Sequence, residues 1–244
     1  MSLITLVMSY YRQPVMLTRQ MENWLTYPEE VRKQIRFILV DDGSPQPAAP
    51  IVQEMAKDVE VYRVTVDILW NQNGTRNLAA HVADEGWMLM TDLDHVLLVD
   101  SARELLRRVP TLSPSRWYRL DRRRTRVSAE TGQLETFPIK PHSNSFVVTR
   151  EAYWKAGGYD EDYCGCLCGD GVFHSHLAKV ATPDHLSGVY FDCYGRTLIP
   201  DATTPDLPRD QAQRDECGRR MRDKARRGDT IPKNPLRFPW ERVL

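Results

Sequence analysis

The sequence predicts an α/β fold, with a Rossmann-like, mostly parallel sheet flanked by helices. Short apolar runs typical of buried strands alternate with segments of helical spacing through the first 100 residues. Three of the predicted strands end in polar clusters. Such clusters are typical of α/β sheets that bind ligands beyond the carboxyl ends of their strands. The chain has 244 residues, 41% of them hydrophobic, which suits one large α/β domain as well as two small ones.

The elements of the first half follow in order along the chain. Apolar, β-rich runs predict strands in "LITLVMSYY", "IRFILVDDGSP", "VEVYRVTV" and "GWMLMTDLD". Between them, apolar residues at helical spacing predict helices in "PVMLTRQMENWLTY", "PAAPIVQEMAKD" and "GTRNLAAHVADE". This alternation indicates a parallel sheet with helices on both faces.

The second half is less regular. The helix "SARELLRRV" precedes Pro-rich and Arg-rich loops that extend to about residue 145. A strand, a helix and a glycine turn are expected in "SNSFVVTREAYWKAGGYDEDY", a helix in "GDGVFHSHLAKV" and a strand in "GVYFDCYG". After Pro200 we expect a peripheral tail with one Arg-rich helix. Residues 1–200 then form one domain, with halves at 1–100 and 101–200, and residues 201–244 form an extension.

Charge and cysteine content limit the function. Formal net charge is zero, so the whole molecule is not an obvious polyanion binder, but residues 209–244 carry eleven Lys/Arg against six Asp/Glu. The opening "SLITLVM" is too short to span a bilayer and lacks a basic flank, so we expect no transmembrane segment and a cytoplasmic location. Five cysteines argue against a full disulfide framework. The thiols of "CGCLC" are expected to be reduced, because the sequence shows no secretion signal, and to be packing residues, because their spacing does not match a zinc knuckle.

The polar clusters that follow the strands carry the functional signal. Residues 9–12, 41–44 and 92–95 each follow a buried strand, and the topology brings them to one edge of the sheet. Asp92 and Asp94 can turn toward one ion, and oxygen ligands suit Mg²⁺ or Mn²⁺. Taken alone, the pair could also be a solvated loop or a helix cap.

Taken in order, five stretches resemble the glycosyltransferases of the GT-A fold, specifically the large family 2. They are "LVMSYYRQP", "IRFILVDDGSP", "NQNGTRNLAA", "WMLMTDLDHVL" and "GGYDEDYCGCLCGDGVFHSHL", and they cover roughly residues 3 to 195. The resemblance implies that residues 1–100 bind a nucleotide sugar and that residues 101–200 bind the acceptor. Only the combination of these stretches is specific.

On the donor side, the resemblance implies nucleotide-sugar contacts from residues at the first two strand ends, namely Ser9, Tyr11, Arg12, Asp41 and Asp42. Tyr11 could stack on a uracil and Asp42 could accept its imide N–H.

The resemblance further implies that Arg76 pairs with the diphosphate, although a surface helix arginine is the alternative. Asp92 is expected to reach the ribose or the metal, and Asp94 to bind the metal. His95 matches a variant of this motif, or is simply a packed histidine. The third metal ligand is left open among His174, His176, His185 or none.

On the acceptor side, the resemblance implies that Asp170 is the catalytic base of an inverting reaction, removing a proton from the acceptor hydroxyl. The alternative is that Asp170 caps the helix that follows it. Gly169 stands where the family usually has a glutamate, which leaves part of the acceptor contact undefined.

The predicted function is therefore a metal-dependent, inverting glycosyltransferase that uses Mn²⁺ or Mg²⁺ and a nucleotide sugar, expected to be a UDP-sugar. The acceptor hydroxyl belongs to a glycan, a small molecule or DNA. One alternative is a nucleotidyltransferase, but "SYYRQPVML" has no glycine for its usual loop. Another is a non-catalytic nucleotide- or nucleic-acid-binding protein built on "LDRRRTRVS" and the basic tail. Donor sugar, acceptor, oligomeric state and the role of the tail are open at this point.

Overall fold

The computed structural model describes residues 2–204, 207, 209–229, 231, 232 and 235–244. Within these residues one mixed sheet of ten strands forms the centre of the molecule. The strands are β1 (Ile4–Tyr10), β2 (Ile35–Asp41), β3 (Glu60–Val64), β4 (Trp87–Asp92), β5 (His95–Leu97), β6 (Arg116–Val127), β7 (Leu134–Ile139), β8 (Phe146–Thr149), β9 (Thr182–Tyr194) and β10 (Trp240–Arg242).

Helices cover the sheet in the order that the hydrophobic spacing predicts. They are α1 (Pro14–Leu25), α2 (Glu29–Arg32), α3 (Ala49–Met55), α4 (Gln72–Val82), α5 (Val99–Arg108), α6 (Arg150–Lys155), α7 (Asp170–Leu177) and α8 (Gln211–Arg226). Among the described helices none has both the length and the apolar character needed to cross a membrane.

The sheet order is β10-β3-β2-β1-β4-β8-β6-β9-β5, with β7 paired to β6. Strands β3, β2, β1 and β4 are parallel, whereas β8 runs antiparallel to β4. The predicted fold class is confirmed. The register places Ser9 beside Asp92 and Tyr10 beside Asp41, so the three polar strand ends lie at one edge, as the topology predicted.

Two hydrophobic cores lie on opposite faces of this sheet, because side chains alternate along each strand. Leu6 and Leu39 pack with Met21 of α1 in the first core, whereas Val7 packs with Leu78 of α4 in the second. A strand that is buried on both faces is continuously apolar. This explains why β1 and β2 could be predicted as strands from the sequence. Each fully buried side chain of this size stabilises the fold by about 1.5–3 kcal/mol.

The Arg-rich segment predicted as a loop is instead strand β6, and that part of the prediction is wrong. Its first residues, Trp117 to Leu120, are mostly buried, and the strand pairs with β9 along most of its length. Arg123 pairs with Asp192 at 2.7 Å and Arg126 with Glu135. Pairing and cross-strand ion pairs therefore override the low strand preference of an arginine run.

The tail is more integral than a peripheral extension. Helix α8 lies at the surface with Lys224 as its one buried residue, but β10 pairs antiparallel with β3 and covers that edge of the sheet. Asp201 also accepts the backbone N–H groups of Val15 and Met16, each at 2.9 Å, at the start of α1. The division at residue 200 stays a prediction.

Candidate active site

A polar cleft lies at the carboxyl ends of β1 and β4. It is defined here by Ser9, Asp92, Asp94, His142, Asn144 and Asp170, and Gln13, Trp70 and Thr204 also contribute to its walls. Four of these six residues were predicted from the sequence. Five other predicted residues are not among the described lining residues of this cleft, namely Tyr11, Arg12, Asp41, Asp42 and Arg76.

Arg76 forms ion pairs with both Asp92, a predicted donor-side residue, and Asp170, the predicted catalytic base. Its guanidinium lies 2.6 Å from Asp92 Oδ1 and 3.2 Å from Asp170 Oδ1, and it packs over the Tyr159 ring. The side chain is only 2% exposed, so the surface-arginine alternative is wrong. Burial lowers the pKa of Arg76, but Tyr159 and the two carboxylates more than offset this, and the guanidinium stays charged. Arg76 therefore fixes the distance between Asp92 and Asp170.

The second oxygen of Asp92 faces a histidine that the sequence reasoning missed. Asp92 Oδ2 lies 3.3 Å from His142 Nδ1 and 3.3 Å from Asn144 Nδ2. His142 Nδ1 accepts the backbone N–H of Asn144, and burial lowers the pKa of His142, so the ring is neutral at pH 7. Two hydrogen-bond acceptors thus lie side by side, an arrangement that a cation would stabilise.

The two acids of this cluster differ in their ease of ionisation. Burial raises the pKa of Asp92, but Arg76, His142 and His95 bring it down to about 2. Burial and the charge of Asp92 raise the pKa of Asp94 to about 7. A divalent cation would hold both carboxylates ionised. Two carboxylates and a neutral imidazole form a donor set that fits Mn²⁺ or Mg²⁺.

His95 is packed into the structure and is only 1% exposed. Its Nε2 lies 3.0 Å from Arg122 Nη1, and its Nδ1 lies 3.3 Å from the Ser145 hydroxyl. Within the described residues, Asp92, His95 and His142 form a group of three whose ligand atoms lie within 4.8 Å of one another. The His95 side chain is 1% exposed and both of its ring nitrogens have partners inside the fold, whereas the His142 side chain is 32% exposed and lines the cleft, so His142 fits the role of metal ligand better.

The three histidines that we considered as third ligand lie outside this group. His174 bonds to the Ser143 carbonyl at 2.6 Å and stacks on Trp117. His185 lies 2.9 Å from Asp121, and His176 lies in another cavity beside Lys179. The signal for His142 is topological, because β8 runs antiparallel to β4 and the residues before β8 therefore return to the end of β4.

The two aspartates of the "DDGS" element, Asp41 and Asp42, have different surroundings. Both oxygens of Asp41 are bonded inside the fold, to the backbone N–H groups of Ser44 and Ala48 and to Arg63. Among the described residues, the Asn71 amide, at 2.9 Å, is the one hydrogen-bond partner of the Asp42 side chain, and burial raises the pKa of Asp42 to about 8. Asp42 thus has the freer carboxyl oxygen of the two.

Asp67, which was not predicted from the sequence, contacts Tyr11 and Arg12 at the end of β1. The Tyr11 hydroxyl donates to Asp67 at 2.9 Å, and Arg12 pairs with the same carboxylate at 3.6 Å. Arg12 also lies over the Tyr11 ring, 5.0 Å from its centroid. Ser9 bonds to the Thr75 hydroxyl at 2.7 Å. The nucleotide contacts expected of Ser9, Tyr11, Arg12, Asp41 and Asp42 stay predictions.

Asp170 is the first residue of α7, and it is not the helix cap. Gly169 occupies the cap position and no side chain caps this helix, so the capping alternative is wrong. Gly169 has φ +117°, and a Cβ there would lie 2.5 Å from Asn73, so this turn requires glycine. The turn directs Asp170 into the cleft, where its side chain is 38% exposed.

Inward-facing cations of the tail are used to bind an acidic loop. Lys224 contacts Asp160 at 2.8 Å and Asp162 at 2.5 Å, and Arg237 pairs with Asp162 at 2.6 Å. Glu161 is buried and accepts the backbone N–H of Leu236 at 2.7 Å. The basic tail therefore neutralises loop 160–162 next to α7. This contact weakens the argument for a nucleic-acid-binding arm.

The cysteines divide into a bonded pair and three buried thiols. Cys168 and Cys217 form a disulfide between the loop before Asp170 and α8, so the expectation of reduced thiols is wrong for this pair. Cys164, Cys166 and Cys193 are free and buried, as expected of packing residues. A disulfide is typical of oxidising compartments and lends no support to the predicted cytoplasmic location.

Solved structures of nucleotide-sugar complexes share this fold. S. aureus TarS 1–349 in complex with UDP-GlcNAc is 13% identical, with a TM-score of 0.63 over 80% of this chain and 59% of that chain. The mannosyltransferase PcManGT from Pyrobaculum calidifontis, in complex with GDP-Man and Mn²⁺, is 15% identical, with a TM-score of 0.59 over 95% and 65% of the two chains. This chain therefore spans about three fifths of the length of these two proteins.

The comparisons support the GT-A-like fold that the sequence predicts. No family model matches the sequence, and no curated protein matches it. Membership of family 2 stays a prediction.

Proposed function

We propose that this protein is a glycosyltransferase that moves a sugar from a nucleotide sugar to an acceptor hydroxyl with inversion, with the help of Mn²⁺ or Mg²⁺. The observation that carries the proposal is the shared cleft of Asp92, Asp94, His142 and Asp170, with Arg76 bridging the two sides. Its fold neighbours include proteins in complex with UDP-GlcNAc and with GDP-Man and Mn²⁺. A UDP-sugar is the donor that we propose.

The donor side binds and orients the nucleotide sugar. Asp42 accepts the imide N–H of the base, and Tyr11 and Ser9 line the path toward the diphosphate. Asp94, Asp92 and His142 would hold the divalent cation of an Asp-x-Asp site. A cation bound there supplies charge neutralisation to the departing diphosphate.

The acceptor side positions the attacking oxygen. The carboxylate of Asp170 accepts the proton of the acceptor hydroxyl as that oxygen bonds to the anomeric carbon. The bond from the anomeric carbon to the diphosphate breaks in the same step, and the diphosphate leaves with the electron pair. Attack opposite the leaving group inverts the anomeric configuration. Arg76 is a positioning residue, because it holds Asp92 and Asp170 at a fixed separation.

The test is a turnover assay with a panel of UDP- and GDP-sugars, in Mn²⁺ or in EDTA. We expect release of the nucleoside diphosphate from one donor in Mn²⁺ only, and ¹H NMR of the product should show inversion. Asp94→Ala should abolish turnover, whereas Asp100→Ala, at an exposed position on α5, should retain it. Full turnover of Asp94→Ala, or of the wild type in EDTA, would overturn the proposal.

A further inference from the structure

A second cavity, of about 350 Å³, also has Asp170 in its lining. We call it the apolar pocket and define it by Trp70, Leu167, Val172, Met221 and the Cys168–Cys217 disulfide. It shares Trp70, Gln72, Leu167 and Asp170 with the polar cleft. Asp170 therefore lies at the junction of two cavities of different chemistry.

The chemistry of the apolar pocket differs from that of the cleft. Among the described residues of its lining, Asp170 is the only charged side chain. The remaining walls are largely an indole, aliphatic groups and sulfur atoms, which favour contact with apolar ligand surface. An engineered apolar cavity of about 150 Å³ holds one benzene, so this pocket has room for about two rings.

A disulfide fixes one part of the apolar pocket, and a flexible methionine lines another part. The disulfide ties α8 to the loop before Asp170, which sets the distance between the two walls. Met221 on α8 is 45% exposed, and its flexible thioether can adjust to ligands of different shape. Gly171 leaves open space, because a Cβ there would meet no atom within 4 Å. Glycine at this position keeps the pocket open beside Asp170.

We infer that the acceptor is an alcohol or phenol with a compact apolar body, which the apolar pocket binds so that its hydroxyl meets Asp170. This inference rests on the proposed function and names its acceptor class. The hydroxyl proton passes to the Asp170 carboxylate, and the freed oxygen bonds to the anomeric carbon. The bond to the nucleoside diphosphate breaks, and the diphosphate carries away the electron pair.

The first test compares acceptors in the full-length protein with the donor found in the turnover panel. An aryl alcohol such as 2-phenylethanol is set against ethylene glycol, in which a second hydroxyl replaces the ring. We expect kcat/KM to be roughly 10- to 100-fold higher for the aryl alcohol, the gain typical of burying one ring. Equal use of the two acceptors, or a preference for the glycol, would overturn the inference.

The second test fills the apolar pocket. Gly171→Leu should raise the KM for 2-phenylethanol by about tenfold or more and change the KM for ethylene glycol much less, because the glycol has no ring to place in the pocket. Met221→Lys should do the same, while Met221→Leu, the matched control, should behave like the wild type.

A third measurement needs no turnover. Saturation-transfer NMR should detect 2-phenylethanol on the wild type and lose the signal with Gly171→Leu. Equal binding to both would overturn the inference. If the alcohol binds at the pocket but no nucleotide sugar is turned over, the proposed function fails instead.

Discussion

The two cavities that meet at Asp170 are built from opposite kinds of side chain. The polar cleft brings together Asp92, Asp94 and His142 with a buried arginine, whereas Asp170 is the only charged side chain that the described part of the chain contributes to the apolar pocket. Charge and a cation suit a diphosphate, and an indole with sulfur atoms suits an uncharged body. The difference supports the proposal that donor and acceptor occupy separate cavities that meet at Asp170, so changes to each cavity should have separable effects.

The largest effect is expected at the junction itself. Asp170→Asn keeps the shape of the side chain but removes the proton acceptor, so transfer should fall by about 10²- to 10⁴-fold. Nucleotide-sugar affinity should change little, because Asp170 is not among the proposed donor contacts. Transfer rates and donor titration by calorimetry measure the two quantities. Undiminished transfer in this variant would show that Asp170 is not the base.

Removing the buried Arg76 guanidinium should disturb the polar cleft and lower the free energy of unfolding. Arg76→Met leaves Asp92 and Asp170 facing each other without a counter-charge, and breaking a buried pair typically costs about 3–5 kcal/mol. Urea unfolding measures this loss. Arg107→Met, which removes an exposed pair with Glu104, should leave the free energy of unfolding nearly unchanged. Equal stability of the two variants would contradict the bridging role.

The disulfide tests the acceptor side. Replacing both Cys168 and Cys217 by serine should lower the free energy of unfolding by at most about 4 kcal/mol, the loop-closure value for a separation of 49 residues. The KM for the acceptor should rise several-fold because the wall formed by α8 is no longer tied. Donor affinity should be unchanged. A variant whose donor affinity falls as much as its acceptor affinity would show that the two cavities are not independent.

The last prediction concerns Asp42 and the pH dependence of stability. Burial raises the pKa of its carboxyl to about 8, with Asp41 and Asp67 adding to the rise and Asn71 and Arg76 opposing it. The native state then holds a proton that the unfolded chain releases above about pH 4, so stability falls as pH rises toward 8. Asp42→Asn should remove this contribution, which is at most about 1.4 kcal/mol per pH unit. Urea unfolding at pH 5 and pH 8 tests this, and an unchanged difference between the two pH values would contradict it.

Much of the donor side could be predicted because its signals are local. The strands that deliver Ser9, Asp42 and Asp92 are continuously apolar and end in polar residues, so parallel topology alone brings their tips together. Their partners were not visible in the sequence. Asp67 lies 56 residues from Tyr11 along the chain, and only the packed fold brings the two together.

The second half of the chain was harder to predict because its contacts are long-range. His142 reaches Asp92 only because β8 runs antiparallel to β4, a pairing that apolar patterns do not specify. Strand β6 was predicted as a loop because its stability comes from β9, about 65 residues away in sequence. The partner of Cys168 lies 49 residues further on, and five cysteines give no unique pairing.

The central claim is that two strand-end aspartates and a returning histidine form one cation site for the donor. Electron paramagnetic resonance of free Mn²⁺ in the presence of UDP measures this most directly. We predict UDP-dependent uptake of one Mn²⁺ per protein by the wild type and by His185→Ala, and loss of that uptake in Asp94→Asn and His142→Ala. Uptake by His142→Ala equal to that of the wild type, or its loss in His185→Ala, would contradict this account.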